Sequence, residues 1–174
     1  MSRFDELVET VDAYQARAAE NYDRIRKLAV DLKEGFCAYL GTKDGVCVHL
    51  VPPVGQFKPM TDLERAFSIP SRGFRPLGPV FFGLAVRVTH GTDWIRLTMR
   101  CHKLGEKFTL HIDEGPSYTF QLPLADHDPT EFYELLFHHV RAQFTEAIDH
   151  YDRGTDARSI GFDFSESEES QDQA

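Results

Sequence analysis

A chain of 174 residues, 41% hydrophobic and 12% aromatic, is long enough to bury one core without covalent staples. Its formal net charge of −9 argues against indiscriminate binding to nucleic acid or an anionic membrane surface. No run approaches the roughly 18 to 20 apolar residues of a spanning helix, and the acidic, amphipathic start from Met1 to Glu6 does not read as a secretory signal.

Phe4 to Glu34 reads as one long helix. Apolar residues recur at Phe4, Leu7, Val8, Val11, Tyr14, Ala18, Tyr22, Ile25, Leu28, Ala29 and Leu32, the spacing of a single helical face. Ser2 is the expected N-cap, Asp5 and Glu6 suit the first turn, and Gly35 is the expected stop. The heptad seam through Phe4, Val11, Ala18, Ile25 and Leu32 permits a homodimeric coiled coil, with Asn21 as a polar residue setting its register. The same stripe also fits packing against the protein's own sheet.

Phe36 to Val51 reads as a β-hairpin turning at Thr42-Lys43-Asp44-Gly45 and ending at Pro52-Pro53, since proline cannot donate to a ladder. Val54 to Met60 is a loop. Thr61-Asp62-Leu63-Glu64 has the form of a capping box opening a short helix to about Phe67. Ser68 to Pro79 is broken by prolines and glycines into a long exposed loop that carries Arg72, Phe74 and Arg75.

Val80 to Leu122 reads as four antiparallel strands joined by three tight turns. A two-residue turn at Gly91-Thr92, with Gly91 at positive φ, sets Val88 opposite Ile95, Val86 opposite Leu97 and Leu84 opposite Met99. The following turns set Leu97 by Ile112 and Leu110 by Phe120, so all these strands share one apolar face. Asp128-Pro129-Thr130-Glu131 is a helix start, and its apolar stripe runs from Tyr133 to Tyr151. Gly154 ends it. Ile160 to Phe164 either folds back on the body or serves as a short linear motif. Ser165 to Ala174 has no large hydrophobe and reads as a disordered acidic tail. The expected fold is therefore a single α+β domain over 1–164. It is a two-layer sandwich in which long N- and C-terminal helices cover one face of an antiparallel meander extended by the N-terminal hairpin.

The other sheet face gathers Arg87, Trp94, Arg96, Thr98, Arg100, His111 and Asp113. The expected register sets Arg87 across from Arg96, with Asp113 on Arg96's far side and Arg100 across from Gly83, where the missing side chain leaves room for a ligand. Between Arg65 and Gly105 the only acid is Asp93, against six arginines and Lys103. Guanidinium forks bind two oxygens of a phosphate or carboxylate at once. Arg87, Arg96 and Arg100 with Trp94, flanked by Arg72 and Arg75, therefore form a candidate face for an acidic partner or an anionic small ligand.

Other constellations carry less. Cys37, Cys47 and Cys101 are odd in number and lie in apolar runs, which favours reduced thiols in a cytoplasm. Cys37, Cys47 and His49 share a face of the expected hairpin but lack metal-site spacing, so no metal or cofactor is expected. His111 and Asp113 could act as an acid–base pair, yet no nucleophile motif accompanies them. Stacking of bases on Trp94 and Phe74 would allow nucleic acid as a ligand, against the net charge. The sequence thus favours a cytoplasmic, non-enzymatic binding or adaptor module. A small enzyme on the same face and a dimeric chaperone-like protein are the alternatives.

Overall fold

Ser2 opens the first helix as expected. Its hydroxyl accepts the Asp5 N–H at 3.1 Å while the Asp5 carboxylate accepts the Ser2 N–H at 2.8 Å. The helix, α1 (Arg3–Leu40), then runs past Gly35 and stops only at Gly41, which takes φ 68° and closes the last turn. The computed structural model of the protein describes residues 1–60, 62–156 and 160–165.

The strand expected from Phe36 to Leu40 is therefore helical. Those residues alternate, but Leu32, Phe36 and Leu40 also sit four apart, and the helical spacing wins because it continues a face already buried. Gly35 serves packing instead. A β-carbon there would collide with the Tyr133 hydroxyl, so α1 and the C-terminal helix touch across a missing side chain. Only the second half of the expected hairpin is a strand, β1 (Val48–Val51). Cys37 and Cys47 are joined in a disulfide that ties the end of α1 to the start of β1, which corrects the expectation of reduced thiols. Cys101 is free and buried, and burial pushes its thiol up to about 12.

A single turn of 3-10 helix (Leu63–Ala66) follows, with Asp62 accepting the Glu64 N–H at 3.3 Å; Thr61, the expected cap, lies outside the described residues. Then come β2 (Val80–Arg87), β3 (Trp94–Leu104), β4 (Lys107–Ile112), β5 (Ser117–Gln121), α2 (Thr130–Asp152) and β6 (Asp163–Phe164). The sheet order is β1-β2-β3-β4-β5, antiparallel throughout, with β6 paired to β3. The segment from Ile160 to Phe164 thus folds back on the body. The expected tail from Glu166 onward lies outside the described residues.

The expected apolar face is present, but each meander register is displaced by two residues. Val86 pairs with Ile95, Leu84 with Leu97, Met99 with Ile112, and Phe108 with Phe120. A displacement of two preserves which face a side chain takes, because strand side chains alternate with period two. The first turn is longer than expected because Thr89 closes it. Its hydroxyl donates to Asp93 at 2.8 Å and accepts the Gly91 N–H at 3.2 Å. In the next turn Gly105, at φ 58°, takes the left-handed position.

From Ala18 onward α1 packs on this face through Ile25, Ala29, Leu32 and Phe36, while α2 covers the far side through Phe132, Tyr133 and Leu136. Phe36, Phe82, Phe108, Phe120 and Phe132 are all fully buried, each contributing about 1.5–3 kcal/mol of transfer free energy. The first turns of α1 are different. Phe4 is 70% exposed and Leu7 58%, because the helix reaches beyond the sheet there. Asn21 is buried and donates to the Gly78 carbonyl at 3.1 Å, a tie within the chain. No helix among the described residues is long and apolar enough to cross a membrane.

Candidate functional site

The outer sheet face is divided. At its first half the chain covers it: Pro52 to Phe57 returns over β2 and β3, and β6 lies alongside Ile95 and Arg96. Arg96 is only 5% exposed. Its Nη1 donates to the carbonyls of Pro52 at 3.1 Å and Gly55 at 2.7 Å, its Nη2 donates to Asp163 at 2.6 Å, and the guanidinium lies 4.9 Å over the Phe57 ring. Trp94 is 6% exposed and packs against His49. Arg87 sits opposite Trp94 and makes a two-point pair with Asp44 at 2.8 and 2.9 Å. That hydrogen-bonded fork lowers the Asp44 carboxyl to about 2.

The expected row of Arg87, Arg96 and Asp113 is therefore not formed. Arg96 faces Ala85 on one side and Asp163 on the other, and Asp113 pairs through its backbone with Thr98. Gly83 lies opposite Thr98, not Arg100; its bare Cα makes room for Val51 and for the Arg96 side chain. Trp94 and Arg96 are thus unavailable to a partner, and Arg87 is already paired.

The second half of the face is open. Arg100 pairs with His111 across the ladder, and the His102 and His111 rings stack with centroids 5.2 Å apart. His111 Nδ1 shares a 2.6 Å hydrogen bond with the Ser117 hydroxyl. Asp113 makes no hydrogen bond to His111 among the described residues. Ser117, not Asp113, therefore orients the His111 imidazole, and the expected His111–Asp113 pair is not formed. Of the two loop arginines, Arg72 is exposed and Arg75 lies 5.1 Å over the Tyr22 ring. Among the described residues no cluster of His, Cys, Asp or Glu has the arrangement of a metal site.

At the end of the sheet, beside this open half, lies a cleft of about 430 Å³. One wall is the polar flank of α1, with Arg17, Glu20 and Arg24; the others are Leu77 to Pro79 and the end of β3, with His102 and Lys103. Arg17 and Arg24 are seven residues apart, so they fall on the same side of the helix. The loop wall is fastened to α1 at several points. Leu77 N–H donates to the Tyr14 hydroxyl at 2.6 Å, Gln15 bonds both backbone groups of Arg75 at 3.1 Å, and Tyr14 stacks on Phe74.

The electrostatics of this cleft favour anions. Arg17, Arg24 and Lys103 face one acid, Glu20, which Arg24 holds at 2.6 Å. The His102 ring, stacked on His111, has its Nδ1 buried without a hydrogen-bond partner among the described residues. Burial, then the charges of Arg100 and His111, lower the His102 pKa, which keeps the ring neutral at pH 7.

Comparison of the chain with protein-family models, curated proteins and solved structures found no match. Of the residues lining the cleft, Arg17, Arg24 and His102 were not singled out by the sequence reading, and Lys103 entered only as part of the basic block. The signal for the first two is present in the sequence: basic residues one heptad apart on one helix flank.

Proposed function

We propose that the protein is a non-enzymatic binding module for an anionic ligand or the acidic group of a partner, and that the cleft between α1 and the end of β3 receives it. The observation that carries this reading is the lining itself. Arg17, Arg24 and Lys103 line one cavity, with Glu20 as its single acid, in a chain whose net charge is −9. An overall acidic protein that concentrates cations at one recess discriminates by position, since the rest of its surface repels anions. The cavity lies in the size range of small-molecule sites, about 300–1,000 Å³. Arg100, on the adjoining open face, extends the positive region.

Titration with inorganic phosphate and with citrate, followed by amide chemical shifts, tests this. Shifts should concentrate at Arg17, Asn21, Arg24, Gly78, His102 and Lys103 and weaken as salt rises. The double substitution Arg17→Glu with Lys103→Glu should weaken binding by at least about tenfold, the loss of one charge-assisted contact of about 1.4 kcal/mol. Shifts spread evenly over the surface, or insensitive to that substitution, would sink the reading.

A further inference from the structure

Among the described residues β6 makes the shortest pairing in the sheet. Asp163 and Phe164 alone pair with β3, at Arg96 and Ile95, and both are exposed. The Ser165 N–H adds one bond to the Trp94 carbonyl at 2.9 Å. Between the segment and the sheet a polar recess of about 280 Å³ remains, bordered on the sheet side by Arg96, Thr98, Asp113 and Glu114. The segment thus lies across its seat without filling it.

What it does fill is specific. Phe162 joins the core, 9% exposed, with the His139 ring edge-on at 5.6 Å. Asp163 sets its carboxylate 2.6 Å from Arg96 Nη2 although its side chain is 72% exposed. Gly161 passes so close to Glu114 that a β-carbon there would stand 2.9 Å from Oε2. Apolar socket, guanidinium and strand edge therefore match a short extended pattern of glycine, aromatic and acid. Asp113 and Glu114 beside the seat disfavour a second acid, so the match is to one carboxylate at one position. Pairing of main chain to a sheet edge, with sockets for particular side chains, is a general way to hold an extended peptide. Arg96 is closed to a partner only while the chain's own segment lies on it. A segment anchored at so few points opens at lower cost than the strands beside it.

We infer that the edge of β3 at residues 94–96 is a docking groove for an extended glycine–aromatic–acid segment of a partner protein, and that residues 161–164 keep it closed as an internal competitor. The inference rests on different residues from the proposed function, so either can fail without the other.

A capped synthetic peptide, Ser-Ile-Gly-Phe-Asp-Phe-Ser, copies residues 159–165 and tests it against the full chain. Phe162→Ala in the protein empties the socket and removes the competitor. The peptide should bind this variant saturably, at least about tenfold more tightly than it binds the unmodified chain. Amide shifts should concentrate at Ile95, Arg96, Thr98 and His139. Asp163→Lys keeps the core phenylalanine and loosens the segment by repulsion from Arg96, so it should also raise peptide affinity. The same two substitutions made in the peptide should each weaken binding by at least about tenfold, whereas Arg17→Glu in the protein should change nothing. Absence of saturable binding to either variant, or equal binding to the unmodified chain, overturns the inference. Loss of the fold in both variants overturns it too, because the segment would then be an integral part of the core. So does a dimer of the unmodified chain, seen by light scattering, that the peptide dissolves, because a second copy would then supply the segment.

Discussion

Arg96 and Arg100 lie four residues apart on the same strand and the same face, yet the fold uses them in opposite ways. Arg96 runs over Gly83 and Ala85, whose small side chains leave a hollow, and the loop from Pro52 to Phe57 closes over it. Arg100 lies between Phe81 and His111, with nothing folded across it among the described residues, and remains half exposed. The chemistry of the two side chains is identical; the neighbours across the ladder and the reach of a distant loop decide their roles. A buried guanidinium held by two carbonyls and a carboxylate is a structural cross-link, whereas a half-exposed one beside two imidazoles is still available to a ligand.

The largest test of this contrast is Arg96→Ala. It leaves the Pro52 and Gly55 carbonyls without their donor and uncovers Phe57, so stability should fall by about 3–5 kcal/mol, roughly 10 °C in Tm. Arg100→Ala should stay within about 0.5 kcal/mol. Denaturant unfolding of both variants measures the difference, and equal small losses would erase the distinction.

Gly83→Ala probes the hollow itself. The added β-carbon would stand 2.8 Å from the Val51 carbonyl oxygen and 3.0 Å from Arg96 Cδ. Neither a ladder carbonyl nor a pinned arginine yields easily, so a loss of about 1–3 kcal/mol is expected from the same unfolding measurement. A neutral substitution would show that the Arg96 side chain is free to move.

The smallest effect is electrostatic and lies in the open half. Burial and the Arg100 charge disfavour the His102 imidazolium, so its folded pKa lies below its ordinary value of 6.5. The ring therefore favours the folded state fully above that ordinary value, and the contribution is lost as pH falls through the depressed one. Arg100→Ala should move the His102 midpoint upward and narrow this window, read from imidazole carbon-bound proton shifts. A midpoint that stays in place would show that the guanidinium does not act on the ring.

Much of this fold is legible in the sequence because its signals are local. Period two in Val80 to Phe120 gives the core face even where the pairing is displaced by two, since parity survives that displacement. The cap at Ser2 and the Asp128-Pro129-Thr130 start are local as well. Phe36 to Leu40 satisfies both periods, and the choice falls to packing against Tyr133 more than ninety positions later, which no window of sequence contains. Arg96 is the same kind of problem. Its burial depends on carbonyls from Pro52 and Gly55 and a carboxylate from Asp163. The cleft combines the middle of α1 with the end of β3, two stretches that alternation alone cannot bring together.

β3 is longer than its neighbour. β4 pairs with it only from Met99 to Leu104, and Asp113 adds one more bond at Thr98 before the chain turns away. Beyond that point Trp94 to Arg96 would present unpaired backbone donors and acceptors beside a buried tryptophan, a template on which a foreign strand could grow. The short return of Asp163 and Phe164, with the Ser165 N–H on the Trp94 carbonyl at 2.9 Å, occupies those groups. Two residues of strand, held by one carboxylate on Arg96, thereby act as a guard against misassembly.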